Sequence, residues 1–134
     1  MEIRVESIRG VRFRVTARGH EVVCDQPVDN GGTNAGMSPP EFLLASLGTC
    51  AAYYAAEYLR ARNLSQEGLA VRVRAEKDSA PARLSHFQVD VDAPELPDPR
   101  HQEGMERAVK GCLIHNTLLH APTIEVAVHA PVTI

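Results

Sequence analysis

The sequence lacks several features that define large classes of proteins. It has no run of basic residues, its net charge is −3, and no linker-like stretch divides its 134 residues. A nucleic-acid-binding domain is therefore not expected, because such domains concentrate positive charge on one surface. The apolar content of 44% and the charged content of 23% exclude a disordered or collagen-like chain. The length predicts a single domain over residues 1–134.

Cysteine is also scarce. The three cysteines, Cys24, Cys50 and Cys112, form no C-x-x-C pair and no cluster with histidines. His115 follows Cys112 by three residues but has no matching pair elsewhere, so we expect neither a metal ion nor another cofactor. The first residues lack the apolar core of a signal peptide, and we expect the chain to stay in the reducing cytoplasm. A disulfide framework is not expected there.

Alternating apolar and polar residues predict the strands. The alternation over residues 3–25 predicts an antiparallel meander of three strands. The following segment, residues 27–36, is rich in glycine and asparagine and predicts a mobile loop. A second alternation over residues 69–92 predicts a hairpin with a turn near residues 78–81, and a last strand is predicted over residues 124–128.

Capping residues mark the helices. The SPPE motif at residues 38–41 is a capping-box pattern and predicts a helix that reaches about residue 62. Asp98 and the proline after it begin a second helix, and a short third helix is predicted over residues 113–119. The resulting order is βββ-α-ββ-α-(α)-β, in which strands cluster instead of alternating singly with helices. This order indicates an α+β fold.

The first helix carries no charged residue between Glu41 and Glu57. A helix that is apolar around its whole circumference belongs in a core or in a membrane. The apolar run is shorter than the roughly 20 residues that span a bilayer, so we predict a core helix and no membrane association. Because so small a domain cannot enclose such a helix on every side, the sequence favours burial against a second subunit.

The residues themselves leave the roles of the cysteines open. Cys50 lies within the apolar helix, where burial favours an inert thiol unless a cation or hydrogen bonds stabilise the thiolate. Cys112 lies at the start of the short helix, where free N–H groups favour a thiolate, so packing and reactivity both remain possible. Cys24 ends a strand and is predicted to be inert. Glu41 is explained by the capping box alone.

Three motifs together resemble the OsmC/Ohr family of osmotically inducible and organic hydroperoxide resistance proteins. They are GMSPPE at residues 36–41, GTC at residues 48–50, and KGCLIHNTL at residues 110–118. The resemblance extends over essentially the whole chain, since the order of strands and helices also fits. It implies an intertwined homodimer of α+β fold, with an antiparallel sheet wrapped around a long buried central helix and active sites built from both subunits.

The resemblance also implies roles for individual residues. By motif position Cys50 matches the peroxidatic cysteine, Cys112 the resolving cysteine, and Glu41 a glutamate that pairs with an arginine beside the thiolate. Arg9 and Arg18 are the two candidates for that arginine. Glu41 precedes Cys50 by nine positions, one fewer than in the hydroperoxide-resistance branch, which places the chain closer to the OsmC-like branch.

The function implied is that of a thiol-dependent peroxidase, an antioxidant enzyme of the stress response that reduces alkyl or lipid hydroperoxides. Its disulfide would be reduced by an external dithiol. Two alternatives remain at this point. One is a noncatalytic dimer that binds a small apolar ligand in the interface cleft, and the other is a purely structural dimerisation module.

Overall fold

The computed structural model describes residues 1–131 and confirms the α+β fold and the predicted order of elements up to the third helix. The elements are β1 (Arg4–Arg9), β2 (Arg12–Ala17), β3 (His20–Cys24), a 3-10 turn (Val28–Asn30), α1 (Pro39–Ala61), β4 (Ala70–Ser79), β5 (Ala82–Asp92), α2 (Pro99–Lys110) and α3 (Leu113–Leu119). Among the residues described, no helix has both the length and the apolar character needed to cross a membrane.

Strands β1 to β3 form the predicted antiparallel meander. Gly10 and Gly19 adopt φ values of +56° and +81° at the two turns, a conformation that glycine enters without steric cost. Pairing of Phe13 with Cys24 sets the register of β2 and β3. The strands contact mainly one another, and Val5 and Val22 remain 57% and 50% exposed. The sheet therefore has apolar residues that this chain does not cover.

Helix α1 begins as predicted. The carboxylate of Glu41 accepts hydrogen bonds from the Ser38 backbone N–H at 2.9 Å and from the Ser38 hydroxyl at 2.7 Å. Pro39 occupies the first helical position, where a missing N–H costs nothing. These local interactions fix the start of the helix.

The chain covers α1 along one stripe only. The buried residues of the helix recur at intervals of three or four positions: Leu47, Ala51, Ala55, Tyr58 and Leu59. This stripe packs on β4, β5, α2 and α3. On the other sides Leu43 and Tyr53 are 38% and 60% exposed. The helix is thus apolar around its circumference but enclosed on one side.

The core lies where α1 meets α2 and the β4–β5 hairpin. Ala55, Tyr58, Leu59 and Met105 are buried together there. Gly48 allows α1 to approach β4 closely, because a Cβ atom at that position would lie 3.1 Å from Val73 Cγ2. This core fixes the middle of α1, and therefore Cys50, relative to the second half of the chain.

The predicted last strand is wrong for the isolated chain. Residues 121–131 form no helix or strand, although the alternation that predicted one is present. Ile124, Val126 and Val128 are 81%, 85% and 89% exposed. A strand forms only when a neighbouring strand pairs its N–H and C=O groups, and no strand within residues 1–131 pairs with this segment.

Gly104 provides a test of how tightly α2 packs on α1. A Cβ atom at this position would meet the Tyr58 hydroxyl and lie 2.9 Å from Tyr58 Cε2. Tyr58 is 7% exposed and its hydroxyl lies 2.9 Å from His101 Nδ1, so the ring cannot move freely. We expect Gly104→Ala to lower the free energy of unfolding by about 1–3 kcal/mol through overpacking. This loss would outweigh the gain of about 1 kcal/mol in helix propensity.

Urea unfolding of Gly104→Ala and of a matched control, Glu103→Ala, measures the difference. Glu103 is exposed on the same helix, so its substitution should change stability by less than about 0.5 kcal/mol. A Gly104→Ala protein more stable than the wild type would show that the two helices pack more loosely than described.

Candidate functional site

The structure brings Cys50 and Cys112 together. Cys50 lies on α1 and is partly exposed, whereas Cys112 lies at the N-cap of α3 and is fully buried. Helix α3 packs against α1, and Cys112 lies close enough to Cys50 for Cys50 to contribute to the raised pKa of the Cys112 thiol. Both thiols are free. A disulfide between two such thiols requires their Cα atoms to lie within about 7 Å of each other.

Cys112 holds its proton strongly. Burial raises the pKa of its thiol, and the contact with Cys50 raises it further. The backbone N–H groups of Ile114 and His115 face the sulfur and lower the pKa in part, without forming a full capping hydrogen bond. Of the two possibilities left open for Cys112, the raised pKa favours a protonated thiol, because burial outweighs the N–H groups.

Glu41 acts here as the cap of α1. The Ser38 backbone N–H, and then its hydroxyl, hold the pKa of the Glu41 carboxyl below its usual range. Within residues 1–131 the carboxylate makes no ion pair with an arginine. Arg9 and Arg18 lie at the two turns of the meander, which packs apart from α1. This chain alone does not bring either arginine to Cys50.

A different arginine forms a buried polar cluster that the sequence did not reveal. Asp25 is 1% exposed, and its carboxylate accepts hydrogen bonds from the backbone N–H groups of Gln26, Thr33 and Ala35 at 2.8, 3.1 and 3.0 Å. The Thr33 hydroxyl donates a fourth at 2.8 Å. Arg12 Nε lies 3.7 Å from Asp25 Oδ2, and another guanidinium nitrogen of Arg12 bonds to the Thr33 hydroxyl. We call Arg12, Asp25 and Thr33 the loop anchor.

The loop anchor holds the segment between β3 and α1. The Asp25 backbone N–H also donates to the Met37 carbonyl at 3.1 Å, which closes the ends of the segment on each other. Gly32 and Asn34 add backbone hydrogen bonds inside it. The prediction of a mobile loop over residues 27–36 is corrected accordingly, because the buried carboxylate organises its N–H groups.

A cavity of about 810 Å³ lies beside Cys112. Its apolar lining includes Leu47, Ala51, Phe87, Val89, Val91, Met105 and Val109. Charged and titratable side chains also line it, namely Asp90, Asp98, Glu106, Lys110 and His115. The cavity can therefore accept the apolar part of a small molecule close to Cys112. In the part of the chain described, no three metal-ligating side chains form a group that could hold a metal ion.

The model of a family described as OsmC-like protein matches residues 32–127. A search of curated protein sequences finds no significant match. Among solved structures, a putative osmotic stress induced and detoxification response protein from Psychrobacter arcticus is 20% identical, with a TM-score of 0.79 over 86% of this chain and 85% of that one.

Two further solved structures share the fold. An OsmC-like protein from Mycoplasma pneumoniae is 17% identical, with a TM-score of 0.72 over 90% of this chain and 89% of that one. An organic hydroperoxide resistance protein OsmC from Legionella pneumophila is 14% identical, with a TM-score of 0.61 over 87% of each chain. At these identities the likeness shows the fold.

Asp25→Asn tests the loop anchor. The four hydrogen bonds hold the pKa of Asp25 far below its usual range, led by the one from the Ala35 N–H. The ionised carboxylate therefore stabilises the folded state above the pKa of an unfolded aspartate, about 3.9. The stabilisation declines as the pH falls below that value toward the folded-state pKa. We expect Asp25→Asn to unfold at lower denaturant concentration than the wild type at pH 7, with a difference that shrinks below about pH 4.

Denaturant unfolding from acid to neutral pH measures this difference. Asp29→Asn, an exposed substitution in the same loop, is the matched control and should follow the wild type at every pH. A difference between Asp25→Asn and the wild type that did not depend on pH would contradict an ionised anchor.

Proposed function

Because the chain belongs to the OsmC-like protein family, we propose that it is a thiol-dependent peroxidase that reduces organic hydroperoxides. The observation that carries the proposal is the placement of an accessible Cys50 on α1 and a buried Cys112 at the start of α3, two helices that pack together. Cys50 is the accessible partner and Cys112 the buried one, so Cys50 is assigned as the nucleophile that meets the peroxide. Cys112 then serves as the resolving thiol.

The reaction follows from these positions. The Cys50 thiolate attacks the terminal oxygen of the hydroperoxide, the O–O bond breaks, and the alkoxide takes a proton to leave as an alcohol. Cys50 is now a sulfenic acid. The Cys112 sulfur attacks the Cys50 sulfur, an S–S bond forms, and the hydroxyl leaves as water with the Cys112 proton. An external dithiol reduces the disulfide by exchange and is itself oxidised.

A nearby second thiol would protect Cys50. A sulfenic acid that meets a second peroxide before a thiol is oxidised irreversibly to the sulfinic acid. Because α3 packs on α1 and carries Cys112, we expect condensation with Cys112 to compete with this second oxidation. The reducing conditions that restore both thiols are those of the cytoplasm, which we propose as the location.

We also propose a homodimer, for which three features of the single chain give support. Helix α1 leaves Leu43 and Tyr53 uncovered, the meander leaves Val5 and Val22 uncovered, and the segment at residues 124–128 has no strand to pair with. A second copy has matching apolar surfaces and free sheet edges. Burial of these surfaces would stabilise the pair by the hydrophobic effect.

In the proposed dimer, Glu41 of one copy and either Arg9 or Arg18 of the other belong to the same site. Within one chain the meander packs apart from α1, so neither arginine reaches Cys50. The meander of the second copy is the surface that would supply an arginine to Cys50 and Glu41. Substitution of each arginine in turn identifies which one contributes.

A noncatalytic role has one specific observation in its favour. The cavity of about 810 Å³ beside Cys112 has an apolar lining and would accept a small apolar ligand without any chemistry. In this alternative Cys112 is buried for packing, and its raised pKa keeps it inert. Reaction with peroxide distinguishes the two functions.

The first test treats the reduced protein with one equivalent of cumene hydroperoxide and measures its mass. We expect the loss of two hydrogen atoms, that is two protons and two electrons, mapped to a disulfide between Cys50 and Cys112. Cys50→Ser should abolish turnover, whereas Cys112→Ser should give one turnover and then overoxidation of Cys50. Cys24→Ala is the matched control and should keep full activity. If the mass did not change and both thiols could be alkylated only after unfolding, the peroxidase would be refuted and the ligand-binding alternative would stand.

The second test concerns the dimer. Val126 is 85% exposed in the single chain, so Val126→Asp should not affect a monomer. In a dimer that buries this side chain, we expect association to weaken about tenfold or more, because burying a valine contributes about 1.5–3 kcal/mol. Sedimentation at micromolar concentration measures the effect, with Glu125→Gln as the control on the neighbouring position. A wild-type protein that sediments as a monomer would refute the dimer.

A further inference from the structure

Cys112 shares its cavity with a histidine. The Cys112 side chain is fully buried, and both Cys112 and His115 line the cavity of about 810 Å³. A thiol attacks another sulfur as its thiolate, so Cys112 must lose its proton in order to react. Because a fully buried thiol cannot give its proton directly to bulk water, the reaction needs a proton acceptor inside the protein.

His115 lies at a position from which a side chain reaches the residue before a helix. Cys112 is the N-cap of α3, and His115 is the third residue of that helix. The start of α1 has the same spacing, and there the Glu41 carboxylate lies 2.7 Å from the hydroxyl of the N-cap residue Ser38. Side chains in a helix point back toward its start. The spacing and the shared cavity therefore make the imidazole the neighbour of the buried thiol.

The other groups of the cavity that could accept a proton are already engaged. Each of the three carboxylates has a partner: Asp90 with Arg74 at 3.2 Å, Glu106 with Lys110 at 3.0 Å, and Asp98 with the His101 backbone N–H at 3.1 Å. Within residues 1–131 the half-buried ring of His115 forms no hydrogen bond and no ion pair. A neutral imidazole has one nitrogen that accepts a proton, so His115 has this capacity unused.

We propose that His115 is the general base that accepts the Cys112 proton when Cys112 attacks the Cys50 sulfenic acid. The inference rests on the proposed function and adds a catalytic residue to it. The Cys112 sulfur forms the S–S bond, and the S–O bond of the sulfenic acid breaks. The protonated imidazole then gives the proton to the leaving hydroxide, which departs as water. Cys112 is oxidised and the sulfenic sulfur is reduced, so the step needs no further reactant.

The residue types around α3 allow a pH profile to be assigned to a histidine. A histidine changes charge between pH 5 and 8. The charged groups that face the cavity are aspartate, glutamate and lysine, and α1 contributes Tyr54 to a separate hollow beside α3. The reference pKa values of these residue types, and of cysteine, lie outside that range. His120 borders the separate hollow and not the cavity, so it serves as the matched control.

The test follows attack by Cys112 without any peroxide. In a Cys24→Ala parent, dithiobis(nitrobenzoate) labels the accessible Cys50 and releases one thionitrobenzoate. Cys112 then attacks the mixed disulfide and releases a second one in a first-order step. We expect His115→Asn to slow the second release about a hundredfold and to leave the first nearly unchanged, because a general base contributes about 10²–10⁴-fold.

The pH profile separates a base from a packing residue. The rate of the second release in the parent should rise between pH 5 and 8, and this rise should be absent in His115→Asn. Free imidazole should restore part of the rate in His115→Ala, which leaves room for the ring. His120→Asn should match the parent at every pH, and His115→Gln covers the case in which His115→Asn does not fold. A slowing that is equal at every pH and is not restored by imidazole would overturn the proposal.

The same assay distinguishes failure of this inference from failure of the proposed function. If the parent shows no second release, Cys112 does not reach Cys50, and both are refuted. If the second release is normal but does not depend on His115, the inference alone is refuted. A second release that depends on His115 in a protein that does not reduce hydroperoxides would support the inference and refute the proposed function.

Discussion

The structure depends on one constraint, the apolar surface of α1. The helix has no charged residue over residues 42–56, so each part of its surface that is removed from water stabilises the fold. The β4–β5 hairpin, α2 and α3 cover one stripe. Ala55 on that stripe and Gly48 beside it are small residues that let those elements approach closely. Within the described residues, the rest of the apolar surface of α1 stays uncovered, as do apolar side chains of the meander and of residues 124–128.

The packing of the other elements on α1 also determines where the two cysteines lie. Cys50 lies next to Ala51 of the buried stripe, at the margin between covered and uncovered surface, which leaves it accessible but close to the core. Cys112 approaches from α3, which follows α2 directly after Gly111. The two packed helices thus carry one accessible and one buried thiol. Burial raises the pKa of the Cys112 thiol, and this difference in exposure underlies the roles proposed for the two cysteines.

Sequence patterns predicted the elements whose causes are local. The start of α1 follows from the capping box at Ser38 and Glu41, and the meander follows from alternation and from glycines at its turns. Residues 124–128 show what such patterns leave undetermined. The alternation of apolar and polar residues indicates which face of a strand would be apolar, but not whether a second strand lies beside it to pair with. The protonation of Cys112 stayed open at the level of sequence for a similar reason. Its N–H neighbours are local, whereas its burial comes from a helix more than fifty residues earlier in the chain.

The loop anchor could have been found from strand register. Pairing of Phe13 with Cys24 puts Arg12 beside Asp25 at the end of β3, but the register itself was not predicted.

The loop anchor determines which residues of the loop between β3 and α1 can be changed without moving the two elements. The Asp25 backbone N–H donates a hydrogen bond to the Met37 carbonyl, and this bond joins the two ends of the segment between them directly. Variation in the length or sequence of residues 27–31, away from Thr33 and Ala35, would leave the distance from β3 to α1 unchanged. This part of the chain is accordingly a suitable place for a label, a tag or an inserted recognition sequence.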